Sequence, residues 1–161
     1  MHVVVMGVAG CGKSEVGARL ARALQLPLVE GDDFHPASNV DKMRRGVPLD
    51  DADRAGWLRT LAAELAARPQ GAVLTCSALK RAYRDTLRTG AAGLRFVHLA
   101  LTPEQAAARV AARTDHFYPP SLVTSQFAAL EDPSGEPGVV VVDASAPLTD
   151  VVERALAGLR P

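Results

Sequence analysis

The chain lacks several features that would point to a membrane, an exported location or a nucleic acid. No apolar run approaches the ~20 residues of a membrane-spanning helix, although 48% of the 161 residues are hydrophobic. The opening segment Met1–Met6 has neither the length nor the basic flank of a signal peptide, so a cytoplasmic location is expected. The formal net charge is zero, which argues against a nucleic-acid-binding surface.

Cysteine and lysine are both scarce. Cys11 and Cys76 form no CxxC or metal-ligand pattern, so a structural disulfide is not expected. Lysine occurs only at positions 13, 42 and 80, whereas most of the 18 basic residues are arginine. Each of these lysines falls in a segment that other features single out, which makes them candidates for a functional role.

Short apolar segments alternate with segments of helical periodicity. The apolar segments predict five strands, at Val3–Met6, Pro27–Glu30, Ala72–Cys76, Leu94–Leu99 and Val139–Val142. Periodic apolar residues predict helices at Lys13–Leu24, about 36–46, about 51–67, Ala78–Thr89, from Thr102 onward and about 148–159. The alternation predicts a three-layer α/β/α fold with a five-stranded parallel sheet, in a single domain over residues 1–161. Strands as apolar as Val139–Val142 are expected to be buried on both faces.

The segment after the first predicted strand matches the phosphate-loop pattern G-x-x-x-x-G-K-[ST] in full. It reads Gly7-Val8-Ala9-Gly10-Cys11-Gly12-Lys13-Ser14. The glycines let backbone N–H groups point at phosphate oxygens, and the following helix adds its positive N-terminal dipole. Lys13 is expected to reach the β- and γ-phosphates of ATP, and the Ser14 hydroxyl to hold Mg²⁺. The alternative, an ordinary glycine-rich turn, is disfavoured because pattern and context agree.

Acidic residues follow the second predicted strand. Asp32 is expected near the phosphate loop, because ligands of such sheets bind beyond the carboxyl ends of the strands. A carboxylate there would accept the proton of a substrate hydroxyl and orient that oxygen toward the γ-phosphate. Glu30 is a candidate for ordering the water shell of Mg²⁺. A solvated acidic turn stays open as the alternative for Asp32 and for Asp33.

Spaced motifs over nearly the whole chain resemble the gluconokinase family. They are Gly31-Asp32 with His35-Pro36, Asn39 and Lys42-Met43, then Gly46-x-Pro48-Leu49 with Asp53-Arg54-x-x-Trp57-Leu58, then Cys76-Ser77-Ala78-Leu79-Lys80-x-x-Tyr83-Arg84-Asp85, His116-Phe117, Ser125-Gln126-Phe127 and Val141-Val142-Asp143. The resemblance implies a P-loop kinase that phosphorylates D-gluconate to 6-phosphogluconate with ATP, and a homodimer. It also implies a fold like that of shikimate and nucleoside monophosphate kinases. Glu30 departs from the family pattern, where Asp is expected, so its role at the metal stays open.

Gluconate is a polyhydroxylated anion, so its site needs cations for the carboxylate and polar groups for the hydroxyls. The candidates for binding this substrate are Asp32, His35, Lys42, Arg45, Arg54, Lys80, Arg84, His116 and Gln126. One carboxylate needs fewer cations than these, so some are expected on the surface or paired with nearby aspartates. A purely capping role for the Asp53-Arg54 segment stays open, as does a turn role for His35. Trp57 is expected in the core or in a pocket wall.

Kinases of this type resemble one another in having a short lid over ATP, which is expected here at about residues 113–127. Arg109 and Arg113 lie one helical turn apart before Pro119-Pro120. Arg113 is expected to contact the transferred phosphoryl group, and Arg109 to pack on adenine or a phosphate. The alternative is two solvent-facing arginines that close a helix C-terminus.

Other functions stay open. A shikimate kinase or another small-molecule kinase is the nearest rival, but shikimate kinases carry a glycine-rich stretch where this chain reads Cys76-Ser77-Ala78-Leu79-Lys80. The longer lid of adenylate kinases is absent. A catalytically inactive ATP-binding regulatory protein is the third possibility. The intact Lys13, Ser14, Asp32 and Arg113 argue against it, because loss of catalysis usually removes one such residue.

Overall fold

The structure, a computed structural model, describes residues 1–112 and 120–160. Its strands are β1 (His2–Met6), β2 (Leu28–Glu30), β3 (Ala72–Thr75), β4 (Arg95–Ala100) and β5 (Val139–Asp143). Its helices are α1 (Lys13–Leu24), α2 (Ala37–Arg44), α3 (Asp51–Ala66), α4 (Arg81–Arg88), α5 (Pro103–Ala111), α6 (Pro120–Ala129) and α7 (Leu148–Leu159). A 3₁₀ turn, Gly31–Phe34, joins β2 to α2. Over these residues no helix has the length and apolarity needed to cross a bilayer.

The five strands form one parallel sheet in the order β2-β3-β1-β4-β5. β1 lies in the middle, where Val4 is paired with Leu74 of β3 and with Phe96 of β4. Parallel strands need crossover connections, and the helices provide them on both faces of the sheet. The predicted three-layer α/β/α architecture is therefore confirmed.

Alternate residues of β1 divide the interior into two cores, because successive side chains of a strand point to opposite faces. Val4 and Met6 pack in a core with α3 and α4, and Val3 and Val5 pack in a second core with α1 and α7. A third cluster joins α5 and α6 to Val8 of the phosphate loop. The helices that flank the phosphate loop are thus anchored on it by apolar contacts.

Reciprocal hydrogen bonds between side chain and backbone mark the starts of two helices. Asp50 caps α3, where its carboxylate accepts from the Asp53 N–H at 2.7 Å and the Asp53 carboxylate accepts from the Asp50 N–H at 3.0 Å. Thr102 and Gln105 form the same reciprocal arrangement at the start of α5. Such capping boxes satisfy N–H groups that the helix itself leaves without partners.

Two expectations about the elements were wrong. Val139–Val142 is not buried on both faces, since β5 is an edge strand and Val141 is 49% exposed. α7 packs against Val140 and Val142, on the other face of that strand. The helix expected from Ala78 begins only at Arg81, because Ala78 has a left-handed φ of 47° that a helix cannot contain.

The guanidinium of Arg84 is fully buried and lies in the core, although it was a candidate for binding substrate. It pairs with Glu136 through Nε–Oε1 (2.9 Å) and Nη2–Oε2 (2.6 Å) contacts. Nη1 donates to the Ala78 carbonyl at 2.8 Å, and Nη2 donates to the Glu131 carbonyl at 3.0 Å. These bonds tie the turn after β3 to the segment after α6, so Arg84 is committed to the fold.

We expect Arg84→Met to lower the free energy of unfolding by about 3 kcal/mol, the lower end of the range for a broken buried ion pair, because the Glu136 carboxylate loses Arg84 and keeps its 3.1 Å contact with Arg88. Urea denaturation of the variant and the wild type measures this difference. Arg81→Met is the control, since the Arg81–Asp85 contact of 3.9 Å is exposed and such pairs contribute at most about 1 kcal/mol. Equal losses in the two variants would contradict the assignment.

The same pair has a defined pH dependence. The Arg84 guanidinium lowers the pKa of Glu136, so the ion pair stabilises the fold above the ordinary pKa of a glutamate. This contribution is lost as the pH falls through the lowered pKa of Glu136. The stability difference between wild type and Arg84→Met should therefore narrow on acidification.

Candidate active site

A cleft of about 480 Å³ opens beyond the carboxyl ends of β1, β2 and β3. Its walls come from the phosphate loop, the 3₁₀ turn, the segment from Met43 to Trp57, Ser77 and α6. This is the edge where ligands of open parallel sheets bind. Asp32 and the phosphate loop line the same cleft, as expected from the sequence.

Gly7 opens the phosphate loop at a point with no room for a side chain. Its φ is 148°, and a Cβ there would lie 2.7 Å from Cys11 Sγ and 2.9 Å from the Leu99 carbonyl oxygen. The Gly7 N–H donates to the Ser77 carbonyl at 3.3 Å. The loop is thereby held between the ends of β3 and β4.

Lys13 curls back over the loop. Its Nζ donates to the Gly7 carbonyl at 3.0 Å and to the Val8 carbonyl at 3.2 Å. These contacts hold the ammonium group inside the curve of the loop, on the wall of the cleft. A phosphate bound by the loop would replace backbone carbonyls with a full negative charge as partners for this ammonium.

Glu30 reaches the start of α1 from the end of β2. Its Oε2 accepts from Ser14 Oγ at 3.2 Å and from Thr75 Oγ1 at 2.6 Å. Thr75 Oγ1 in turn accepts from the Gly31 N–H at 3.3 Å. A hydroxyl and a carboxylate oxygen therefore lie side by side next to the phosphate loop. Thr75, which holds the Glu30 carboxylate in place, was not among the candidates from the sequence.

Asp32 and His35 lie together on the 3₁₀ turn side of the cleft. The Asp32 side chain is 84% exposed, and its Oδ1 is 3.6 Å from Nε2 of His35, whose side chain is only 3% exposed. The His35 ring stacks on Trp57, with centroids 3.9 Å apart and planes inclined by 19°. Burial lowers the pKa of His35, partly offset by the charge of Asp32. Trp57 is confirmed as a wall of the pocket.

Three of the candidate cations are paired with carboxylates and do not line the cleft. The pairs are Lys42 with Asp53 at 2.8 Å, Arg45 with Asp41 at 3.0 Å and Lys80 with Asp51 at 3.1 Å. The hydrogen bond from Lys42 is the main cause that lowers the pKa of Asp53. Arg45 and Asp41 are both well exposed, so this pair belongs to the surface. The structure does not bring these cations, or Arg84, into the cleft.

Arg54, by contrast, lines the cleft. Its Nη1 donates to the Leu49 carbonyl at 3.0 Å and to Tyr83 Oη at 3.3 Å. Tyr83 Oη donates in a short hydrogen bond to Asp51, and the Arg54 guanidinium carbon lies 5.4 Å from the centre of the Tyr83 ring. Among the residues that the structure describes, Lys13 and Arg54 are the two basic side chains on the cleft wall other than His35.

Helices α5 and α6 both contact the phosphate loop by hydrogen bonds. Arg109 donates from Nη1 to the Gly10 carbonyl at 3.3 Å and from Nη2 to the Ala144 carbonyl at 2.5 Å. Gln126 Oε1 accepts from the Ala9 N–H at 2.6 Å. Arg109 thus supports the loop backbone from outside, and Gln126 reaches the cleft. Arg113 and His116 lie outside the described residues.

Ser77 on the cleft wall and Tyr83 behind Arg54 were not among the candidates. Ser77 lines the cleft directly after β3, and the rule that placed Asp32 at the carboxyl edge of the sheet applies equally to it. Tyr83 reaches Arg54 from α4, a contact between distant segments for which the sequence carries no local signal.

The fold and the phosphate loop define the chain as a P-loop kinase. A family model described as an AAA domain matches residues 3–133. A shikimate kinase structure from Aquifex aeolicus superposes with a TM-score of 0.68, over 99% of this chain and 96% of that chain. Its sequence identity is 18%, so that likeness concerns the fold alone.

More similar proteins narrow the class. The gluconokinase of Gluconobacter oxydans is 46% identical over 143 residues, which cover 87% of this chain and 80% of that protein. The crystal structure of a gluconokinase from Sinorhizobium meliloti superposes with a TM-score of 0.93 at 49% identity, over 98% of this chain and 90% of that chain. The chain belongs to the gluconokinase family.

We expect Lys13→Ala to weaken ATP binding by roughly 10- to 100-fold, because hydrogen bonds to charged groups contribute about 1.5–3 kcal/mol each. Calorimetric titration with ATP measures the dissociation constant. Lys42→Ala is the matched control, since Lys42 pairs with Asp53 outside the cleft. Unchanged affinity in Lys13→Ala would remove this lysine from the nucleotide site.

Proposed function

We propose that this protein transfers the γ-phosphate of ATP to the 6-hydroxyl of D-gluconate and is a gluconokinase in activity as well as in family. The observation that carries the proposal is the shared cleft, in which the phosphate loop, the Asp32 carboxylate and the Arg54 guanidinium meet. A phosphate donor, a polyol and a carboxylate each have a chemically matched partner there. The identities to gluconokinases support the same substrate.

Residues of the loop would bind the triphosphate. Backbone N–H groups of the loop beyond Gly7 and the Lys13 ammonium would neutralise the β- and γ-phosphates. Ser14 and Glu30 present oxygen donors 3.2 Å apart, which suits Mg²⁺, a cation that prefers oxygen ligands and retains several waters. Ser14 would hold this ion directly and Glu30 through a water. Bound Mg²⁺ would supply further charge neutralisation on the phosphates.

Asp32 would position the acceptor hydroxyl for in-line attack and take its proton. Because phosphoryl transfer proceeds through a loose transition state, correct placement of the acceptor oxygen contributes more than early proton removal. The large exposure of Asp32 toward the cleft is compatible with contact to a bound substrate. Arg113 stays the proposed arginine finger of the lid, and His116 a proposed lid contact.

Arg54 would bind the carboxylate of gluconate. A guanidinium matches a carboxylate in charge and in planar geometry. Its contacts to Leu49 and Tyr83 hold the side chain in place before substrate arrives, which limits the entropy lost on binding.

Gln126, which contacts the phosphate loop at Ala9, is proposed to contact hydroxyls of the acid as well. Homodimerisation and a cytoplasmic location stay predictions from the sequence.

The proposed function predicts that ATP turnover with Mg²⁺ is accelerated by gluconate far more than by shikimate or AMP, as measured by ADP release. Asp32→Asn should lower kcat for gluconate by about 10²–10⁴-fold, the range for a positioned general base. Asp33→Asn is the matched control and should behave as wild type, because Asp33 does not line the cleft. ATP binding without acceleration by any acceptor would favour a regulatory protein instead.

Arg54→Ala should raise KM for gluconate by roughly 10- to 100-fold, since a charge-assisted hydrogen bond contributes about 1.5–3 kcal/mol. Glucitol, the polyol that lacks the carboxylate, distinguishes this role from a general defect. Its weaker turnover should be unchanged by Arg54→Ala, and Arg45→Ala should affect neither substrate. An equal loss with both acceptors would show that Arg54 does not bind the carboxylate.

A further inference from the structure

Asn39 is a buried amide between two partners that the proposed chemistry does not use. It is 1% exposed, and its Nδ2 donates to the Asp53 carbonyl at 2.9 Å and contacts His35 Nδ1 at 3.2 Å. A backbone carbonyl only accepts hydrogen bonds. The Asn39 atom that faces it is therefore the NH₂ group, and the same NH₂ group faces His35.

This contact determines where His35 carries its proton. An NH₂ group only donates, so His35 Nδ1 must accept, and a neutral imidazole then has its hydrogen on Nε2. Nε2 is the atom 3.6 Å from Asp32 Oδ1, slightly beyond the range of a formed hydrogen bond. Stacking on Trp57, whose Nε1 donates to the Gly31 carbonyl at 2.8 Å, fixes the plane of the ring.

We propose that Asn39 and Trp57 hold His35 as the neutral Nε2–H tautomer, and that this N–H orients the Asp32 carboxylate toward the acceptor hydroxyl. His35 is then a positioning residue that keeps its proton throughout, and Asn39 acts through it. The inference rests on the proposed function, in which Asp32 faces the acceptor. This positioning role differs from the direct contact with substrate that the family resemblance suggests for His35.

The physical need for such a support follows from the exposure of Asp32. A carboxylate that is 84% exposed is free to change rotamer, and misplacement of a catalytic group by about 1 Å costs on the order of 10²-fold in rate. His35 is buried and stacked, so it offers a donor with little freedom of its own. A fixed donor restricts a mobile base at small entropic cost.

Burial, more than the charges around it, favours the neutral form of His35. Asp32 on the 3₁₀ turn and Arg54 on α3 are the charged groups that act on it, while its other neighbours, Asn39 and Trp57, do not titrate. Burial and Arg54 lower the pKa of His35, and Asp32 raises it to a smaller extent than burial lowers it. Protonation of His35 would add an N–H at Nδ1, and this donor would face the Asn39 NH₂ group, which is also a donor.

The tautomer can be read directly in the full chain by long-range ¹H–¹⁵N correlation of the histidine rings, with no nucleotide or acceptor present. The His35 signals are assigned by their loss in His35→Gln. We expect the Nε2–H tautomer at neutral pH. In Asn39→Asp the new carboxylate accepts from Nδ1, so the His35 proton should move to Nδ1 or its pKa should rise. An Nδ1–H tautomer in the wild type would overturn the proposal.

Two substitutions separate positioning from substrate binding. The amide nitrogen of His35→Gln reaches the position of Nε2, whereas that of His35→Asn reaches only that of Nδ1. We expect His35→Gln to retain kcat within about 10-fold of wild type and His35→Asn to lose about 10²-fold, the cost of a misplaced catalytic group, with KM for gluconate little changed in either. A rise in KM at constant kcat would identify His35 as a direct ligand and overturn the proposal.

The loss in His35→Asn must also depend on Asp32. In an Asp32→Asn background, His35→Asn should cause no further decrease in kcat, because the group it positions is gone. Additive losses would overturn the proposal, and thermal unfolding of each variant shows that it is folded. The ring measurement needs no acceptor, so absence of gluconate turnover would refute the proposed function and leave the tautomer result standing.

Discussion

The close approach of backbone at Gly7 is the constraint on which the site depends. β1 lies between β3 and β4, and the Gly7 N–H bonds to the Ser77 carbonyl while its Cα faces Leu99. A side chain there would separate the three strand ends. Because the loop is held at the centre of the carboxyl edge, the turns after β2 and β3 reach it from one side, and α5 and α6 pack on it from the other.

Two arginines near this edge, Arg84 and Arg109, hold backbone in place. Arg84 binds carbonyls of the turn after β3 and of the segment after α6, and Arg109 binds carbonyls of the phosphate loop and of the residue after β5. A guanidinium carries five donors and no acceptor, so it suits carbonyls that turns leave without partners. This use, together with the Glu136 ion pair, explains why Arg84 does not reach the cleft. Aspartates hold three other candidate cations, Lys42, Arg45 and Lys80.

The sequence was sufficient for features that are local. The phosphate loop and the apolar strands each depend on residues within a few positions, and both lie where the sequence predicts them. Which cation faces the cleft depends on pairings between distant segments. Lys42 is eleven positions before Asp53 and is paired with it. Arg54 is adjacent to Asp53 in the sequence, yet it lines the cleft. The left-handed Ala78 likewise has no signal, because glycine or asparagine normally marks such a position.

Glu30, at a position where aspartate is expected, has a side chain long enough to span the distance to Ser14. β2 is separated from β1 by β3, and neighbouring strands are about 4.8 Å apart, so a carboxylate on β2 must extend across β3 to reach Ser14. Thr75, the residue of β3 in register with Glu30, donates to its Oε2 midway along this path. The extra methylene of glutamate adds reach, and the Thr75 hydroxyl restrains the longer side chain. The same oxygen that Thr75 binds is the one that contacts Ser14.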